Sequence, residues 1–384
     1  MICIKYNKYV LSIGIKLCFL RQHFTSLKRI LLGGKYNILI IKDDGVGDAV
    51  AWIPYAFLLR NHFIRHHYHI TVLASSKTKR FFQQLQYADK VISLPAYKNK
   101  MQWICVRLIF WLCYQFDIIL SATCTPNDIL LPYRVPNTLF LYRWHYKRIA
   151  KLCHCNNIVD VTGLNIYERY DTILHYLKIK ETINHSLLAD SLNLPDYKIE
   201  DKSFFAVCAT ASDSLRCWEE EKFAELINLL ISTTGKMAVL VGMKSEYAKN
   251  ERIKSICKHH SKIINLAGKT SIMELFSVIQ KAEFLVSNET GTAHIGGILG
   301  ILTFIICGGG DYGSFVPYPP DIEGKTVFSI FPANHECFRC GWSNPNCIQK
   351  EIYPCISAIT VDQVFTTIET HYKKIPDYEY SHKN

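Results

Sequence analysis

Short apolar runs alternate with segments of helical period, and the alternation runs through the chain twice. In the first half "YNILIIK" (36–42) predicts a strand and "GDAVAWIPYAFLLRNHF" a helix. "HITVLAS", "KTKRFFQQL", "KVISLP" and "FDIILSA" (116–122) continue as strand, helix, strand and strand. In the second half "SFFAVCAT" (203–210), "EEEKFAELINLLISTTG" and "MAVLVG" (237–242) read as strand, helix and strand. "SIMELFSVIQKA", "FLVSN" and "LTFIICG" follow as helix, strand and strand. Such an order demands crossover connections, hence an α/β architecture with parallel sheets. Between the halves, residues 184–202 lack a long period and contain Pro195, which sets a domain boundary there. The expected domains are a basic arm (1–35), a Rossmann-like domain (36–190) and a second one (200–384). Two such domains would leave a cleft between them, and ligands of these sheets bind beyond the carboxyl ends of the strands.

Composition supports a globular chain: 384 residues, 49% hydrophobic and 20% charged. The net charge of +11 is uneven, because eight basic residues from Lys5 to Lys42 precede the first acid, Asp43. Such an arm suits nucleic acid, anionic lipid or a phosphorylated substrate, or is a solvated positive face. "YVLSIGIKLCFL" (9–20) is interrupted by Lys16 and lacks a small-residue cleavage site, so it reads as a surface-lying amphipathic helix rather than an export signal. The apolar run at 103–122 carries Arg107, Gln115 and Asp117 and reads as a buried helix followed by a strand. Most of the 15 cysteines are scattered singly through apolar runs, which fits buried thiols in a reducing cytoplasm better than a disulfide framework.

Four stretches can carry chemistry. In "IIKDDGVGDAVAWIP" (40–54) a strand runs into Gly45 and Gly47, and Asp48 stands where a helix begins. Asp is also among the best N-caps, so spacing alone leaves Asp48 either a helix cap or a cleft-facing acid. "CATASDSLRCWEEEKFAEL" (208–226) presents Thr210, Ser212 and Arg216 after a strand, a set suited to an anionic ligand. The alternative is an ordinary loop with Trp218 as a packing anchor. "VSNETGTAHIGGILGI" (286–301) ends a strand and starts a helix at small residues, where free N–H groups attract phosphate. Glu289 could accept from ribose or sugar hydroxyls, while His294 is either near the phosphates or a satisfied core histidine. "TFIICGGGDYGSFVPYPP" (303–320) again runs a strand into glycines, Gly309 among them.

Together these stretches resemble glycosyltransferase family 9, the ADP-heptose heptosyltransferases of lipopolysaccharide core assembly and their relatives. The likeness spans residues 36–370 and is most specific over 264–301. It implies a GT-B fold, two Rossmann-like domains facing across a cleft, an acceptor domain first and a donor domain second. It implies an inverting transfer of a heptose or related sugar with no cofactor for catalysis. By the same resemblance Asp48 is the base, with Gly47 beside it on the acceptor side. Arg216 is the basic residue at the donor diphosphate, and Glu289, Thr290, Gly291, Thr292 and His294 form the donor motif. Thr210, Ser212 and Gly309 complete the expected donor contacts. Glu289 stands where the better-known heptosyltransferases have Asp, which leaves the sugar open. The resemblance also implies a nucleotide-sugar donor, ADP-heptose or similar, and a lipid-linked saccharide acceptor. The enzyme is then expected in the cytoplasm, peripheral on the inner-leaflet membrane surface.

Near the C-terminus "HECFRCGWSNPNCIQKEIYPCI" (335–356) gathers Cys337, Cys340, Cys347 and Cys355. Four thiolates suffice for a structural zinc, and Cys-x-x-Cys is a usual half-site, although the second pair is widely spaced. A disulfide pair or free packed cysteines are the alternatives. On any of these the group is expected to serve stability rather than transfer. Two rival functions remain at this point: a nucleic-acid-binding protein with a cysteine-rich metal module, and a non-catalytic nucleotide-sugar binder. Against the first, the basic residues are not interleaved with aromatics in an RNA-binding motif, and no nucleic-acid partner is expected.

Overall fold

A computed structural model describes residues 36–94, 114–123, 137–142, 157–181, 183–185, 192–199, 203–333, 338–344, 347 and 352–372. The basic arm, the helical reading at 103–113 and Cys337 lie outside the described residues. The chain divides into two compact units. Unit 1 is Met1–Leu164 with Glu168–Thr182, and unit 2 is Asn165–Tyr167 with Ile183–Asn384.

Unit 1 holds a parallel six-stranded sheet of order β3-β2-β1-β4-β5-β6. Its strands are β1 (Tyr36–Lys42), β2 (Tyr68–Ala74), β3 (Lys90–Ile92), β4 (Ile118–Ser121), β5 (Asn137–Tyr142) and β6 (Asn157–Asp160). β1 is central and reads "ILII" because it is buried on both faces, as parallel strands are. The single helix expected after it is two, α1 (Val46–Ala51) and α2 (Ile53–Arg65), separated at Trp52. Pro54 is the cause: it has no N–H to give to the carbonyl of Val50, so the first helix stops and Pro54 starts the next. Helices α3 (Lys79–Leu85) and α4 (Ile166–Tyr176) complete the described helices of this part of the chain. Trp52, Tyr55 and Tyr170 form an aromatic plug, with Tyr170 edge-on to both neighbours at 4.9 and 5.0 Å.

Unit 2 repeats the plan. Its parallel sheet runs β12-β11-β10-β7-β8-β9, built from β7 (Phe204–Cys208), β8 (Met237–Leu240), β9 (Ile263–Asn265), β10 (Leu285–Asn288), β11 (Thr303–Ile306) and β12 (Val327–Ile330). The helices are α5 (Glu220–Thr234), α6 (Tyr247–Ile256), α7 (Ile272–Lys281), α8 (Gly291–Ile298), α9 (Pro354–Ser357) and α10 (Val361–Tyr372). α5 ends on Gly235 at φ 72, a left-handed cap, and α7 begins with a Ser271–Glu274 capping box. Counted from its own first strand, each sheet has the doubly wound order 3-2-1-4-5-6.

Candidate active site

In such a sheet the chain leaves the first strand in one direction and later returns to its other side. The loops after those two strands diverge and open a crevice. In unit 1 that point lies between β1 and β4, and in unit 2 between β7 and β10. Most of the predicted site residues stand in the segments after these strands, while Gly309 follows β11. Asp48 follows β1, Thr210 to Arg216 follow β7, and Glu289 to Thr292 follow β10.

At the end of β1, Lys42 is fully buried. Its ammonium donates to the Asp44 carboxylate and, at 2.8 Å, to the Tyr170 hydroxyl. The Tyr170 hydroxyl donates in turn to the carbonyl of Asp48 at 3.2 Å. The second Asp44 oxygen, Oδ1, is buried with no partner. Burial outweighs the Lys42 ion pair and, with the nearby Asp48 charge, pushes the Asp44 carboxyl up to about 7. Gly45, not Asp48, is the N-cap of α1; Asp48 is in the first turn, where a carboxylate is favoured by the helix dipole. Its Oδ2 is folded back to 3.1 Å from where a Cβ on Gly45 would lie, a close approach that a side chain there would crowd. Gly47 is half-buried in the same turn. Asp44 escaped the sequence reading. The available signal was an acid two residues beyond a lysine that ends an otherwise apolar strand.

In unit 2, Trp218 fixes the loop after β7. Its backbone N–H donates to Asn288 Oδ1 at 3.1 Å and its indole N–H to the Ile359 carbonyl at 2.9 Å. Trp218 is thus the packing anchor, and it draws the loop onto the end of β10. Arg216 closes a short 3-10 turn, Ser214–Arg216, capped by Asp213. One guanidinium nitrogen, Nη2, donates to both Glu289 and Asp311. Arg216 Nε is buried without a partner, as is Asn288 Nδ2. Thr290 is the N-cap of α8 but makes no side-chain cap bond, so Gly291 and Thr292 enter the helix with first-turn N–H groups that have no carbonyl within the helix.

His294 packs beneath this turn. It is buried, its Nδ1 bonds the Tyr318 hydroxyl, its Nε2 lies 3.6 Å from Glu289 Oε1, and its ring meets Phe315 at 5.4 Å. Burial raises the Tyr318 hydroxyl well above its ordinary value, so it stays protonated. Thr210 is buried, whereas Ser212 is exposed and away from the Arg216 cluster's polar contacts. Gly309 sits in a buried 3-10 turn with Gly310 and Asp311, and its carbonyl accepts from the Arg339 N–H at 2.9 Å. Asp311 is a second residue that sequence reasoning missed.

The cysteine-rich segment does not stand apart from this cluster. Its Trp342 lies under Arg216, 4.9 Å from ring centroid to guanidinium carbon. Cys347 and Cys355 are free thiols, and burial raises the Cys355 thiol. Among the described residues no three His, Cys, Asp or Glu are placed to hold a metal ion. Without Cys337, the described part of the group does not by itself make a zinc site. Among the described residues no helix is long and apolar enough to cross a membrane.

Residues 166–301 match the family model "Glycosyltransferase family 9 (heptosyltransferase)". No curated protein matches the chain in sequence. Among solved structures, the glycosyl transferase family 9 protein from Veillonella parvula aligns with a TM-score of 0.66 at 15% identity, covering 88% of this chain and 98% of that one. E. coli heptosyltransferase WaaC with ADP-2-deoxy-2-fluoro heptose aligns at 0.62 and 18% identity, over 87% of this chain and 99% of that one. The iron-containing dodecameric glycosyltransferase TibC from enterotoxigenic E. coli aligns at 0.55 and 12% identity, over 89% and 77%. These likenesses confirm the α/β fold of two Rossmann-like units, the GT-B class, and residues 166–301 match the glycosyltransferase family 9 model.

Proposed function

We propose, from the glycosyltransferase family 9 domain that this chain carries, that it moves a sugar from a nucleotide diphosphate donor to a saccharide acceptor with inversion. The observation that carries this reading is Arg216. It is half-buried at the switch point of unit 2, held through one nitrogen by Glu289 and Asp311, with Nε unpartnered beside the start of α8. A diphosphate accepts from a guanidinium and from first-turn N–H groups alike. Glu289 supplies an acceptor for ribose or sugar hydroxyls.

In this reading the acceptor hydroxyl oxygen bonds to the anomeric carbon as the bond from that carbon to the phosphate oxygen breaks. The hydroxyl proton passes to Asp48. The nucleoside diphosphate leaves with the electron pair, and its charge is met by Arg216 and the N–H groups of 290–292. The transfer routes no step through a metal or cofactor. A heptose, an ADP carrier and a lipid-linked acceptor follow the family pattern, and the basic arm would then serve an anionic membrane surface from the cytoplasmic side. A structural metal on the four cysteines is proposed on the same footing, tested by metal analysis of protein purified without chelator.

Thermal-shift screening against nucleotide sugars and free nucleoside diphosphates, followed by product assay, tests the reading. Asp48→Asn should retain donor binding and lose transfer by roughly 10²–10⁴-fold, the usual contribution of a positioned base. Near-normal turnover in that variant would leave Asp48 a structural residue of the first turn.

A further inference from the structure

We infer that Trp342, carried between Cys340 and Cys347, is a positioning residue of the donor site. Its indole holds the Arg216 guanidinium in the plane from which it receives the nucleotide diphosphate. The inference rests on the donor-site reading above.

The geometry is specific. Glu289 and Asp311 both act on Nη2 of Arg216, which fixes one nitrogen and leaves the plane free to swing about it. The Trp342 ring, 4.9 Å from the guanidinium carbon, supplies the missing constraint. Tryptophan is the strongest aromatic partner for a cation, and a guanidinium stacks as a plane. The ring is itself wedged. A Cβ on Gly308 would meet it at 2.5 Å and one on Gly310 at 2.2 Å, so the glycines of the loop after β11 are the room Trp342 occupies. On another side it meets Tyr353 at 4.7 Å, and Tyr353 donates its N–H to the carbonyl of Leu215, the residue before Arg216.

Two further observations indicate that the placement serves a ligand. Trp342 has φ 62, the left-handed region that a bulky side chain seldom enters, and such outliers concentrate where the surroundings impose a function. The indole Nε1 and Arg216 Nε are both buried donors without a partner, which is costly unless an acceptor arrives. A guanidinium already immobilised loses less freedom when the phosphates bind, and the gain appears as affinity.

The test measures dissociation constants for ADP, GDP and UDP, and for the parent nucleoside of whichever binds best. The proteins are the full-length chain and its Trp342→Phe, Trp342→Leu, Trp342→Ala and Arg216→Ala variants, with the Trp342→Leu/Arg216→Ala double variant. Loss of a partly desolvated cation–aromatic contact should weaken the diphosphate about tenfold in Trp342→Leu, with Trp342→Phe recovering most of it. Nucleoside affinity should not move, and Trp342→Leu should add less than about twofold once Arg216 is gone. Phe and Leu fill the space with and without a π face, so the comparison stands even if Trp342→Ala fails to fold. Equal affinities in the Phe and Leu variants, or an equal loss for nucleoside and diphosphate, would overturn the inference and make Trp342 a packing residue. A diphosphate that binds all variants alike, Arg216→Ala included, would overturn the donor-site reading itself.

Discussion

Lys42 and Tyr170 meet inside unit 1: the ammonium donates to the phenol oxygen at 2.8 Å and lies 5.0 Å from the centre of the same ring. A fully buried lysine is tolerable only when its donors are used. Tyr170 passes the contact on to the Asp48 carbonyl, so a cation under the sheet end is tied to the first turn of α1.

Tyr170→Phe removes both bonds and keeps the ring. It should lower unfolding stability by about 1–3 kcal/mol, the cost of a buried donor left unmade. The drop should be visible as a lower denaturant midpoint at unchanged slope. A midpoint equal to that of the parent would mean that Lys42 is satisfied by Asp44 alone.

Asp44 should give unit 1 a pH dependence of its own. Its carboxyl rises from 3.8 to about 7, chiefly by burial, so the folded chain binds more protons than the unfolded chain between these values. The stability this contributes is fully present below about pH 4 and is lost as pH climbs to about 7. Lys42, Asp43, Asp48, Tyr87 and Tyr170 are the groups that face or act on it. Asp44→Asn cannot ionise, so the difference in melting temperature between parent and variant should change across pH 4–8. A constant difference would sink the assignment.

Arg216→Ala should weaken nucleoside diphosphate binding by about 1.5–3 kcal/mol, roughly ten- to a hundredfold. Arg216→Lys should restore part of it, since a lysine keeps the charge but not the fork. Calorimetric titration checks both, and unchanged affinity in the alanine variant would remove Arg216 from the phosphates.

Gly296→Ala should destabilise unit 2. The added carbon would stand 2.3 Å from Thr303 Oγ1 and 2.9 Å from Leu285 Cδ2, both on strands that α8 packs against. Overpacking of this kind costs about 1–3 kcal/mol. Denaturant unfolding should show it. A variant as stable as the parent would mean that α8 can lift from the sheet at little cost.

The strands that carry the site were legible because each is a compact apolar run: β1, β7, β10 and β11 begin and end within two residues of their readings. Among the three-residue strands β3 was read and β9 was not. β9 is three residues preceded by a polar 3-10 turn, and its pairing with β8 comes from the sheet rather than from its own pattern. The break at Trp52 follows from Pro54 and was available, but the apolar period running through it masked the stop. Arg216 and Glu289 were legible as strand-end polar residues. The second carboxylate on Arg216, Asp311, was not, because it sits in a glycine turn, and only the adjacency of β10 and β11 brings it to Arg216. Trp342 is further still from anything periodicity can reveal: it reaches the cluster from beyond β12.

β12 is the outermost strand of its sheet, and the chain that bears Trp342 follows it. Polypeptide lengthened or rewritten there displaces no neighbouring strand and shifts no register. The other five strands therefore keep their pairing whatever the lineage tries at that margin. An arginine common to the site can be given a new aromatic companion, or a thiol-rich flank, by editing the stretch between β12 and α9, ahead of the core residues of α9 and α10. Diversity among chains of this architecture should accordingly collect between the last strand and α9, where novelty and foldability are least in conflict.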